Sequence, residues 1–146
     1  MPNVSFKIPR SVLVVIYTER EEVLLLERAD KIGFWQSVTG SLDSLDETPL
    51  AAAQRELFEE TGIDAVPTDW HHQIDYEIYP HWRHRYAPGV TTNTEHWFGL
   101  RLADRVPVTI AAREHVTYAW LPRRAAAERC FSSSNRQAIE SLRFAR

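Results

Sequence analysis

The sequence predicts an α+β fold, a mixed β-sheet with helices packed against it. Short apolar runs of strand length recur along the chain, one segment carries helix start, face and stop signals together, and a second helical pattern closes the C-terminus. With 146 residues, 44% of them hydrophobic, the chain can bury one sizeable core, so a single domain over 1–146 is expected.

Val12 to Tyr17 and Val23 to Leu26 are apolar runs separated by the charged stretch Glu19 to Glu22, which predicts a hairpin of two buried strands. Phe34 to Thr39 is a third extended segment, and Gly40 opens a polar stretch, Ser41 to Glu47. Thr48 is placed to cap a helix, Pro49 suits its first position, Leu50, Ala53, Leu57 and Thr61 recur as an apolar face, and Gly62 is placed to end it. Ile63 to Val66 and Gln73 to Tyr79 read as strands, Pro80 to Asn93 as a long loop of the kind that carries function, and Glu95 to Leu102 as a strand. Tyr118 to Leu121 is a further short strand, Pro122 to Arg129 a short helix, and Asn135 to Phe144 a helix with Ala138, Ile139 and Leu142 inward. Trp35, Trp97 and Trp120 fall within apolar strands and are assigned to the core.

A formal charge of −3 provides no general basic field for DNA, RNA or an anionic membrane, so neither nucleic acid nor membrane is an expected partner. The longest apolar run, Val12 to Tyr17, falls far short of the ~20 residues that span a bilayer, and Met1 to Arg10 lacks a secretory pattern. Cys130 is the lone cysteine, which excludes an intrachain disulfide and a multi-cysteine zinc or iron–sulfur site and points to a cytoplasmic protein. Its thiol is expected to be an inert small hydrophobe. Five glycines form no GxGxxG or P-loop, leaving phosphate binding to metal and basic side chains.

The central helix carries the chemistry. Glu56, Glu59 and Glu60 stand at i, i+3 and i+4 in its last turn before Gly62 and are expected on a face opposite the apolar stripe. Like charges at this spacing cost roughly 0.2–0.5 kcal/mol per pair, and the helix dipole disfavours each anion there by a further ~0.3–1 kcal/mol. A hard divalent cation reverses the sign of both effects, because carboxylate oxygens are its preferred ligands. Asp46 to Glu60 holds five acids against Arg55, so the acidity of the chain is concentrated at this segment.

The run Gly40, Glu47, Arg55-Glu56-Leu57-Phe58-Glu59-Glu60-Thr61-Gly62-Ile63 resembles the Nudix box, GX5EX7REUXEEXGU with U a bulky apolar residue. Every fixed position from Glu47 onward matches, while six residues instead of five separate Gly40 from Glu47. The stretches 34–40, 84–91, 93–95 and 134–140 resemble the branch of the Nudix hydrolases that acts on pterin triphosphates. This resemblance implies the Nudix α/β/α sandwich with its box at about residues 40–63. It also implies Mg2+-dependent hydrolysis of dihydroneopterin triphosphate to the monophosphate and pyrophosphate in folate biosynthesis. A nucleoside triphosphate such as dATP is the alternative substrate, Mn2+ the alternative cation, and a ligand-binding regulator that keeps the fold without hydrolysis the alternative from another class.

By that resemblance Glu56 and Glu60 are direct metal ligands and Glu59 a ligand or water-mediated partner. Glu114 is a distant fourth carboxylate that completes the metal site or acts as general base. Glu59, Glu60 and Glu114 form the expected catalytic set, with Gly40, Glu47, Arg55 and Gly62 supporting the box. Arg55 either orients a carboxylate or touches phosphate. Lys7, Arg28, Thr39 and Ser132 are the expected phosphate-binding side chains. Tyr76, Glu77, Ile78 and Tyr79, with the loop His81 to Tyr86, supply aromatic faces and positive charge suited to a flat pterin carrying a triphosphate.

Overall fold

The structure, a computed structural model, describes residues 5–143. In chain order it builds β1 (Arg10–Thr18), β2 (Glu22–Arg28), β3 (Trp35–Gln36), β4 (Val38–Ser41), α1 (Pro49–Thr61), β5 (Thr68–Glu77), a 3-10 turn (Pro80–Arg85), β6 (Thr92–Leu102), β7 (His115–Pro122), α2 (Arg123–Arg129) and α3 (Ser133–Glu140).

The unbroken apolar run of β1 makes a strand buried on both faces. Val12, Val14 and Ile16 pack on one side with Phe98 and with Ala52, Ala53 and Leu57 of α1. Leu13 and Val15 pack on the other with Trp97 and with Ala126, Ala127, Ala138 and Ile139 of α2 and α3. The result is the expected α/β/α sandwich, with α1, alone among the described helices, on one face of the sheet.

The hairpin of β1 and β2 is paired only at its closed end, Tyr17↔Val23. Along its length β1 runs parallel to β6, from Arg10↔Thr94 to Thr18↔Leu102, and antiparallel to β4. β2 instead pairs with β7 and β3. The segment expected as one extended piece, 34–39, therefore crosses from β2 to β1 at Ser37. Asn135 of α3 pins that crossing: its Oδ1 accepts from the Ser37 amide at 2.7 Å and its Nδ2 donates to Ser37 Oγ at 2.9 Å.

Several boundaries depart from expectation for local reasons. Residues 62–67 form no strand: Gly62 ends α1 at φ 74°, the Ile63 amide donates to the Thr61 hydroxyl, and Pro67 has no N–H for a ladder. Pro80 starts a 3-10 turn inside the expected loop. α3 begins at Ser133 because the Ser132 side chain caps it, and it stops at Glu140; the expected end at Phe144 lies outside the described residues. Leu50 is 39% exposed instead of forming part of the buried stripe, and Trp97 alone of the three assigned tryptophans is buried, with Trp35 and Trp120 half-buried at the edges of the core.

Candidate active site

The box folds around Arg55. Thr48 Oγ1 accepts the Ala51 amide at 3.1 Å to start α1, which places Arg55 beside the end of β4. Its guanidinium donates to Glu47 through Nε at 2.9 Å and Nη2 at 3.1 Å, to Glu56 at 2.8 Å, to Glu59 at 3.2 Å, and to the Ser41 carbonyl at 3.1 Å. Arg55 is thus spent on orienting carboxylates and the loop, and it lines neither of the cavities below. Glu47 in turn accepts the Asp43 amide at 2.8 Å, and Leu42 is buried. With both ends of the loop tied, residues 43–46 form an exposed tip. Gly40 lets β4 pass against α1: a Cβ there would lie 2.2 Å from Glu56 Cδ.

The three helix glutamates diverge. Glu60 follows Ala53 by seven residues, which on a 3.6-residue turn returns it to the buried stripe, and it is 1% exposed. The expectation that all three would sit opposite that stripe is corrected by this spacing. Glu59 points outward against Arg55 and lines neither cavity. Neither oxygen of Glu60 finds a hydrogen-bond partner. Burial, then Glu56 and Glu114, push its pKa well above the usual carboxylate range. Burial also raises Glu56, against the pull of Arg55.

Glu60, Glu114 and His115 each present a ligand atom within 4.8 Å of the others, with His115 Nε2 3.5 Å from Glu60 Oε1. Burial, then Arg28, lower His115 to about 4, so at neutral pH its imidazole is uncharged and has a lone pair to offer. Sequence reading left His115 as a neutral hydrogen-bonding residue, outside the donor group it joins. Two orphaned buried carboxylate oxygens beside the Glu114 carboxylate and a neutral imidazole fit a divalent cation.

These donors open into a 590 Å³ cavity that also takes in Arg85 and Arg113. A second cavity, 340 Å³, lies on the α3 side and is walled by Tyr76, Tyr79, Trp82, Glu95, Phe131 and Asn135 among others. The two share Lys7, Arg28, Gln36, Thr39, Gly40, Ser41 and Arg85, so they are halves of one cleft. Arg28 pairs with Asp30 through two 2.7 Å bonds, and Arg85 reaches the same carboxylate at 3.2 Å. Burial, then Arg85 and Arg28, lower the pKa of Lys7.

Of the expected substrate residues, Lys7, Arg28 and Thr39 line both halves, and Tyr76, Glu77, Tyr79 and Ser132 line the smaller one. Two qualifications follow from the geometry: the Glu77 carboxylate is exposed and bound to Arg83, and the Thr39 hydroxyl donates to the Val12 carbonyl at 2.9 Å. Ile78 is the exception, buried in the core and lining neither half. Glu95, Asn135 and Gln36 are absent from the expected site set, although each falls in one of the stretches 34–40, 93–95 and 134–140 that carry the family resemblance.

A three-layer fold with a carboxylate-lined cleft at the end of α1 defines a Nudix hydrolase. The sequence matches the NUDIX domain family over residues 7–142, and the chain belongs to that family. It is similar to the dihydroneopterin triphosphate diphosphatase of Escherichia coli K12, 47% identical over 148 residues that cover 97% of each chain. It is also similar to that of Haemophilus influenzae, 41% identical over 96% of this chain and 90% of the other. Among solved structures, the E. coli dihydroneopterin triphosphate pyrophosphohydrolase aligns with a TM-score of 0.88 at 48% identity, covering 94% of this chain and 96% of that one. No helix among the described residues is long and apolar enough to cross a membrane.

Proposed function

We propose that this chain, acting as one cytoplasmic domain over 1–146, hydrolyses dihydroneopterin triphosphate to dihydroneopterin monophosphate and pyrophosphate with Mg2+. The observation that carries the reading is the cleft itself: an aromatic-walled half adjoins a carboxylate-walled half, with Lys7, Arg28 and Arg85 between them. A flat heterocycle with a triphosphate tail needs those three environments in that order.

Glu56, Glu60 and Glu114 would hold the cation, with His115 beside them, and Glu59 would support the site through Arg55 or through water. The bound cation neutralises phosphate charge and lowers the pKa of water. Lys7, Arg28 and Arg85 draw in the phosphate oxygens, Ser132 offers a hydroxyl, and Tyr76 and Tyr79 flank the ring. Glu114, exposed at the cavity wall, takes the proton of the attacking water. Arg55 and Glu47 set the carboxylates in place and leave the chemistry to them.

Incubation with dihydroneopterin triphosphate and Mg2+ should release pyrophosphate, and Glu60→Gln should abolish the release. Failure of the unaltered chain to produce either pyrophosphate or phosphate would sink the proposal.

A further inference from the structure

We propose that Glu95 determines specificity in this cleft: its carboxylate receives the ring N–H and the exocyclic amino group of a 2-amino-4-oxopyrimidine edge, which pterin and guanine share and adenine lacks. The inference rests on the reading of the cleft as the substrate site and assigns a role that the catalytic carboxylates do not fill.

Glu95 lies on β6 directly beside Ser11 of β1, with its side chain in the wall of the 340 Å³ cavity. It is 4% exposed, and no Lys, Arg or His among the described residues pairs with it. Trp97 Nε1 donates to Oε1 at 3.0 Å, and the Ser134 hydroxyl also supports the anion. A carboxylate accepts about four hydrogen bonds, so roughly half of that capacity is left. A buried anion without a cation is costly unless N–H groups complete its shell; burial accordingly raises the pKa of Glu95 against the pull of Trp97 and Ser134.

The neighbouring polar groups are committed or stand outside the cavity lining. Both ends of the Asn135 amide are spent on Ser37; Asn93 Nδ2 donates to Ser11 Oγ at 2.7 Å, and its Oδ1, which has no partner, belongs to a residue that does not line the cavity. Glu77, the other carboxylate of this cavity, is exposed and bound to Arg83. Glu95 is therefore the acceptor left for a ring, and Tyr79, Trp82 and Phe131, with Trp82 and Phe131 in edge contact at 5.7 Å, supply faces for it to lie on. A 2-amino-4-oxo edge presents two adjacent donors, matching two carboxylate oxygens. The adenine edge presents one donor and one acceptor, and its ring nitrogen would face an anion.

Glu95→Gln separates the possibilities, because the amide oxygen can keep the Trp97 bond while the NH2 turns toward the ring. With dihydroneopterin triphosphate, dGTP and dATP as substrates, the kcat/KM ratio of the first two over dATP should fall on the order of 10²-fold. Neopterin, which carries no phosphate, should bind the variant at least ~10-fold more weakly, with pyrophosphate affinity in Mg2+ unchanged. A second arm needs no variant: the unaltered protein should bind pterin at least ~10-fold more tightly than lumazine, the same bicycle with a 2-oxo group replacing the amino group. An unchanged substrate ratio, or equal affinity for pterin and lumazine, overturns the assignment. Absence of turnover on all three triphosphates would instead count against the proposed reaction, and the neopterin and lumazine measurements would still decide the role of Glu95.

Discussion

Replacing Glu60 by Gln should make the metal-free protein more stable while destroying its activity. The Glu60 carboxylate is 1% exposed with neither oxygen hydrogen-bonded, and a ligand atom of Glu114 lies within 4.8 Å of it. Two full charges at that distance repel by about 3 kcal/mol at an effective dielectric near 20. Water around the exposed Glu114 and partial protonation of Glu60 reduce this, so the expected gain is about 1–3 kcal/mol, or roughly 4–12 °C in Tm for a chain of this length. The pH dependence has a definite sign. Because the folded-state pKa of Glu60 is raised, the folded protein binds more protons than the unfolded chain above about pH 4.3, the unfolded value. Stability of the parent therefore falls as pH rises from there toward the folded pKa, and the penalty is full above it. The advantage of Glu60→Gln should be near zero at pH 4 and should grow through neutrality. Mg2+ should stabilise the parent and not the variant. Thermal melts of both proteins, with chelator and with Mg2+, at pH 4 to 8 provide the measurement. A variant less stable than the parent in chelator at pH 8, or two parallel pH profiles, would show that Glu60 is not a strained anion.

Three other substitutions probe the same cleft. Gly40→Ala would place a methyl 2.2 Å from Glu56 Cδ; the end of a flexible side chain can yield, so Tm should change little while activity and Mn2+ affinity fall at least ~10-fold, and unchanged Mn2+ binding would contradict the packing argument. Arg55→Lys keeps the charge but loses the two-pronged grip on Glu47; it should cost about 1–2 kcal/mol in urea unfolding and lower kcat more than it raises KM, whereas full activity would remove Arg55 from its orienting role. Lys7 has its pKa lowered by burial and by Arg85 and Arg28, so its charge is lost at a pH below the ordinary lysine range; the alkaline fall of kcat/KM should shift upward in Lys7→Arg, and an unshifted limb would mean that Lys7 does not meet the phosphates.

The elements that could be read in the sequence are those whose signals are local. α1 is marked by Thr48, Pro49 and Gly62, each within one turn of its end. The cores of β1 and β2 are marked by apolar runs too long to be anything exposed. The pairing of β1 with β6, more than 80 residues away, leaves no local trace, and so the splayed β1–β2 hairpin that makes room for β4 could not be foreseen. The box carboxylates were legible because like charges at the C-terminal end of a helix are locally unfavourable and demand a cause. The expected position of Glu60 nevertheless fails, although its seven-residue spacing from Ala53, itself part of the expected apolar face, is a local signal of burial. Ile78 enters the substrate set as part of the run Tyr76 to Tyr79, but it follows the end of β5 and is buried away from both halves of the cleft.

The charge of the cleft explains why its parts need each other. The larger half is lined by four cationic side chains, Lys7, Arg28, Arg85 and Arg113, and by five carboxylates, three of which, Asp30, Asp43 and Glu56, are held by arginines. A triphosphate entering alone brings about four negative charges against Glu56, Glu60 and Glu114, and a cation entering alone gains those carboxylates while facing Lys7 and the arginines. Each ligand cancels the repulsion the other would meet. Their binding is therefore coupled, and by linkage the coupling is reciprocal: the cation raises affinity for the triphosphate by the same factor as the triphosphate raises affinity for the cation. On this account the strain stored in the metal-free carboxylates is released when both ligands are present. An acidic chain would thus hold a small polyanion without attracting long ones, because the attraction would come from a cation held at the cleft carboxylates and not from the surface field.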